Sequence, residues 1–154
     1  MGRTAATGAT PAPATQDRRR WIYGALDLVF AAAYIVVISK VIPNRLPSAA
    51  VHLWTFPIAT LAMAAGTLFG TAKGWRIAVV GGSIVLLSMV ALIVRILISA
   101  AFLAGVYGAF GKAAATFSIV MIALVIEVVA LLPIVQVKYL MSRAGRRAYG
   151  VREI

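Results

Sequence analysis

The sequence predicts an all-α polytopic membrane protein, a bundle of four transmembrane helices, and three observations carry that reading. Of 154 residues, 62% are hydrophobic and 12% charged, an apolar share too large for a soluble domain of this size to hide from water. The apolar residues fall in runs long enough for the roughly 20 residues that a helix needs to cross a hydrocarbon core of about 30 Å. The basic residues, which produce a formal net charge of +11, stand beside these runs and not along one polar face. That placement points to a bilayer with anionic headgroups as partner and away from nucleic acid.

Residues 1–20 are rich in Ala, Thr, Gly and Pro and close on Arg18-Arg19-Arg20, the composition of a disordered, basic-ended tail. A basic triplet before an apolar run also suits a secretory signal, with Ala31-Ala32-Ala33 as small residues for cleavage. The run nevertheless continues through Ile38 and contains Asp27, so a full first span over about 21–42 is expected. Two prolines in Pro43-Asn44-Arg45-Leu46-Pro47 interrupt helix and predict a short turn. The second span covers about 53–70, and its start is open. Either Thr55 caps it with Pro57 in the first turn, or Ser48 caps a longer helix kinked at Pro57.

Residues 71–76 form a tight basic turn, after which the chain stays apolar from Ile77 to Phe110. As one helix this stretch reaches about 50 Å, so the third span is placed at about 77–104. Gly105, Gly108 and Gly111 then predict a break or a re-entrant piece. A fourth span follows at about 115–137, with Pro133 as a packing kink or a gate. One transmembrane domain, 21–137, thus precedes a basic cytoplasmic tail, 138–154, whose start suits an interfacial helix.

Orientation follows from Lys and Arg. One side receives four from the N-terminal tail, two from the 71–76 turn and five from the C-terminal tail, while the other receives Lys40, Arg45 and Lys112. Eleven against three predicts both termini in the cytoplasm, in a plasma membrane of bacterial type. Trp21, Trp75 and Tyr139 on the cytoplasmic side and Trp54 on the other suit interfacial anchors.

Three ionisable residues lie within apparent spans: Asp27, Arg95 and Glu127. A charge there costs at least a few kcal/mol on insertion scales, so such groups usually face a protein interior, a partner or water. Asp27 stands about 9 Å along its helix from Trp21, Glu127 about 15 Å from Val137, and Arg95 nearer the opposite leaflet. Tyr23, Asp27 and Tyr34 share one helical face, Gly81, Ser88, Arg95 and Ser99 another, and Ala123, Glu127 and Ala130 a third. The expectation is an interior polar network that sets helix register, with a proton or ion pathway and a partner contact as alternatives. Ala62, Gly66 and Gly70 form a small-residue ridge for close helix packing, inside the bundle or against another chain.

Lys138, Arg143, Arg146 and Arg147 are expected to meet anionic lipid or solvent. His52, beside Trp54, reads as an exposed imidazole near the outer interface. With no cysteine and one histidine, thiolate chemistry and a paired-histidine haem are excluded, and no metal or cofactor is expected. The leading function is a small non-enzymatic membrane subunit or accessory protein that packs against a larger complex or itself and contacts anionic lipid. The alternative is a homo-oligomeric proton- or ion-coupled transporter or channel using the intramembrane charges. A membrane enzyme ranks third, because separated carboxylates without a nucleophile or cofactor motif make a poor active site.

Overall fold

The computed structural model describes residues 18–41 and 47–151. Among these, 94% are helical and none is in a strand. Helix α1 (Arg18–Val36) runs into a π-helical turn (Val37–Val41), followed by α2 (Pro47–Phe69), α3 (Ala72–Val106), α4 (Gly108–Met141) and a short α5 (Arg143–Ala148). Three segments are long and apolar enough to cross a membrane: Arg18–Lys40, α3 and α4. Within α2 the apolar stretch is the shorter Leu53–Phe69. Each of the four long helices packs on the next in chain order, and α5 folds against α4.

Several boundaries differ from the sequence expectation, each for a backbone reason. Arg18-Arg19-Arg20 are the first turn of α1 and not the end of a tail, because a helix satisfies its own hydrogen bonds and carries its cations past the apolar edge. In α2, Pro47 takes the first helical position, where a missing N–H costs nothing. Pro57 then lies inside the helix with its ring buried, so the span has the longer form, but Ser48 lies within the helix and is not its cap. Thr71 caps α3, its Oγ1 accepting the Gly74 N–H at 3.1 Å.

The glycine-rich stretch breaks the chain without forming a re-entrant piece. Tyr107 ends α3, donating its N–H to the Leu103 carbonyl at 3.0 Å. Gly108 then turns the chain at φ 57°, a left-handed conformation that glycine adopts without steric cost. Helix resumes at once, so α4 begins well before the expected residue 115 and continues past 137. The expected C-terminal tail is likewise ordered through Val151, as the end of α4 plus α5. Residues 1–17, residues 42–46 with most of the turn expected there and Arg45, the side chain of His52, and 152–154 with Arg152 lie outside the described residues.

What holds α2 to α3 is backbone proximity. A Cβ on Gly66 would stand 2.5 Å from both Ala78 N and Gly74 O, and one on Gly81 would stand 2.9 Å from Ala59 O and Met63 N. Only glycine permits that approach, the membrane-type packing in which small residues let helices gain dispersion contacts. Above this crossing, Phe56, Ala59, Val85 and Met89 form one apolar cluster, flanked by Tyr34, Val129 and Ala130. Below it, Ala78, Leu140 and Tyr149 form another with Trp75 and Val151. The end holding the second cluster and the arginine triplet is called the base.

Candidate functional site

Near the base, four segments meet through a chain of buried polar groups. Asp27 from α1, Gln136 from α4 and Thr67 from α2 are 2%, 0% and 1% exposed. The Gln136 Nε2 amide donates to Asp27 Oδ2 at 2.7 Å and to Thr67 Oγ1 at 3.1 Å. Thr67 Oγ1 donates in turn to the Met63 carbonyl at 2.7 Å, so it meets Gln136 as an acceptor, and the Gln136 Oε1 on the other side of the amide is buried without a hydrogen-bond partner among the described residues. Tyr149, just beyond α5, donates its hydroxyl to the Thr67 carbonyl at 3.1 Å. Trp75 Nε1 donates to the Leu140 carbonyl at 2.7 Å and sets α3 level with α4. A cavity of about 10 Å³ adjoins Asp27, lined also by Thr60, Val85 and Pro133.

This cluster is a different network from the one expected from the charges. Asp27 is in it, but Arg95 and Glu127 both face out of the bundle. The reason is helical phase and depth. Arg95 lies about 30 Å along α3 from Trp75, and Lys40 about 28 Å along the first span from Trp21, a separation near the thickness of a hydrocarbon core. Ser99 is exposed too, donating its hydroxyl back to the Arg95 carbonyl at 2.9 Å. Tyr23 is half-buried and pairs with Tyr139, ring centroids 5.8 Å apart, with the Arg19 guanidinium also over Tyr139. Tyr34 packs on Phe56 at 4.6 Å. Together with Ser88 it lines a largely apolar groove of about 380 Å³ bounded by Phe30, Met89 and Val129.

Of the small-residue ridge, Gly66 is at the α2–α3 crossing and Ala62 lies beside Gly81 along an outer groove. Gly70 leaves the ridge, because it forms the turn after α2 with φ 61° and lies against the Arg20 guanidinium. Lys138, Arg143 and Arg147 are exposed at the base, whereas Arg146 is half-buried and its carbonyl accepts the Tyr149 and Val151 N–H groups. Among the described residues no group of three His, Cys, Asp or Glu is placed to hold a metal.

Gln136, Thr67 and Tyr149 were not singled out from the sequence. A signal for Gln136 exists: it is the one side-chain amide after Asn44, and a lone amide in an apolar run needs a buried partner much as a charge does. For Thr67 and Tyr149 no such signal exists, since a threonine satisfies itself on its own helix and a terminal tyrosine suits an interface.

No family model matches the chain, and comparisons with curated proteins and with solved structures find no match either.

Proposed function

We propose that this chain is a small non-enzymatic subunit or accessory protein of a membrane complex, crossing the bilayer four times with both termini in the cytoplasm and its basic base against anionic lipid. The observation that carries the reading is the engagement of Asp27. Its carboxyl accepts a buried amide that also holds Thr67, so the most buried ionisable group in the bundle ties α1, α2 and α4 together. Groups used as cross-helix ties favour a scaffold, because a carrier must release and re-form such contacts in each cycle.

Support for four spans comes from α2, whose 23 residues reach about 34 Å and which packs between α1 and α3. Trp21, Trp75 and Tyr139 gather at the base beside Arg18, Arg19, Lys73 and Lys138, the pairing of aromatic belt and cations that marks a cytoplasmic interface. Cysteines placed at Thr71 and Ser142 are expected to react from the cytoplasmic side and one at Lys40 from the other. Labelling of Thr71 and Ser142 from opposite sides would remove the four-span topology.

The function is tested by gentle extraction from the native membrane and mass spectrometry of the intact assembly. A stable complex containing another membrane protein is the expected result. A proton or ion flux by the purified chain in liposomes, abolished in a folded Asp27→Asn protein, would replace the subunit reading with a transporter.

A further inference from the structure

Among the described residues, Glu127 is the one carboxylate that faces outward from the bundle. It lies thirteen residues from Leu140 along α4, about 20 Å above the level fixed by the Trp75–Leu140 hydrogen bond. That is well inside a core about 30 Å thick, yet its side chain faces outward. Beside it runs a groove of about 230 Å³ between α3 and α4, lined by Ile93, Leu97, Ile119, Ile122, Ala123 and Ile126. A single carboxylate at the edge of an apolar furrow, at lipid depth, is costly in its ionised form, and a cation covering it is one way to relieve that cost.

Among the described residues, the chain's own cations stand elsewhere. Arg95 lies about 10 Å further along the bundle and is absent from the groove lining, and Lys112 is a further fifteen residues from Glu127 along α4. A second copy does not supply the partner either. Copies inserted in the same orientation and paired by a two-fold axis through this face bring Glu127 against Glu127 at equal depth, which is repulsive.

Resting on the subunit reading above, we propose that this groove seats a transmembrane helix of a different membrane protein, one carrying a lysine or arginine at the depth of Glu127. Apolar side chains of that helix fill the furrow between α3 and α4, and its cation meets the carboxylate away from water.

The test uses the full chain in vesicles of zwitterionic lipid with synthetic poly-leucine transmembrane peptides as probes. These carry a lysine, a glutamate or a leucine at the central position, and association is read by energy transfer between fluorophores. The central-lysine peptide is expected to associate roughly 3- to 20-fold more tightly than the all-leucine one, the span of measured intramembrane polar contacts. Glu127→Gln abolishes the difference, and Glu127→Lys transfers the preference to the central-glutamate peptide. Ala123→Trp, which fills the furrow and keeps the carboxylate, weakens the lysine peptide as well.

Equal association of the lysine and leucine peptides overturns the proposal, as does self-association of the chain that disappears in Glu127→Gln. If the native complex contains a partner while the peptides show no lysine preference, the groove assignment fails and the subunit reading stands. A chain that is solitary in its native membrane yet selects the lysine peptide retains the groove chemistry and loses the subunit role.

Discussion

The base of the bundle and the far end of the α3–α4 hairpin are built from similarly apolar helices but are held together differently. At the base, α2 and α3 touch backbone to backbone through Gly66, and Asp27, Gln136, Thr67 and Tyr149 tie their segments by buried hydrogen bonds. At the far end, α3 and α4 run on with Phe102, Phe110 and Phe117 facing outward at 69%, 81% and 69% exposure. In a bilayer, apolar side chains gain nothing by leaving lipid for one another, so cohesion comes from close backbone approach and interhelical hydrogen bonds. The base has both. The far end has the geometry of a surface that another helix can cover.

The largest test of this contrast is a pair of glycine substitutions. Gly66→Val places a Cβ 2.5 Å from the backbone of α3 and is expected to cost about 3 kcal/mol, the upper range for overpacking. Gly105→Val meets nothing within 4 Å and changes stability by less than about 1 kcal/mol. Unfolding in mixed micelles by sodium dodecyl sulfate measures both, and equal losses would erase the distinction between the two ends.

Next in size is Gln136→Leu. It removes both donors that face Asp27 and Thr67, leaving a buried carboxyl unmatched at an expected cost of about 2 kcal/mol. A double-mutant cycle with Asp27→Ala separates the coupling from the loss of each side chain. Additivity there would mean that the cluster is two independent contacts.

Tyr149→Phe deletes one hydrogen bond while keeping the ring in its apolar cluster, so a loss of about 1 kcal/mol is expected. Protease access to the C-terminal segment should rise in parallel, because this contact is one of those that hold α5 against the bundle. The smallest effect belongs to the far side of the comparison. Glu127→Gln in the isolated chain should shift stability by under about 0.5 kcal/mol, since its side chain faces outward. A loss as large as that of Gln136→Leu would place Glu127 among the internal ties.

Much of the fold was legible because bilayer physics acts on composition before it acts on packing. Long apolar runs and the glycines around residue 108 each announce a local backbone choice, whereas the basic turn expected at 71–76 is confined to Gly70 and Thr71, and Lys73, Gly74, Trp75 and Arg76 are already in the first turns of α3. The candidate site was less legible. Asp27 was marked by its charge, but its partners were not, because a hydrogen bond between residues 109 positions apart has no trace in local spacing. Arg95 and Glu127 looked like its companions only because they share its chemistry.

By itself, therefore, the sequence determined an all-helical, lipid-compatible chain with cations crowded at one end, since these depend on hydropathy and backbone propensity residue by residue. Only the tertiary structure decided which polar groups face inward. That depends on the rotation of each helix about its axis and its height against its neighbours, fixed here by the Gly66 crossing and the Trp75–Leu140 bond. Those two constraints bring Gln136 to Asp27 and leave Glu127 on the outside.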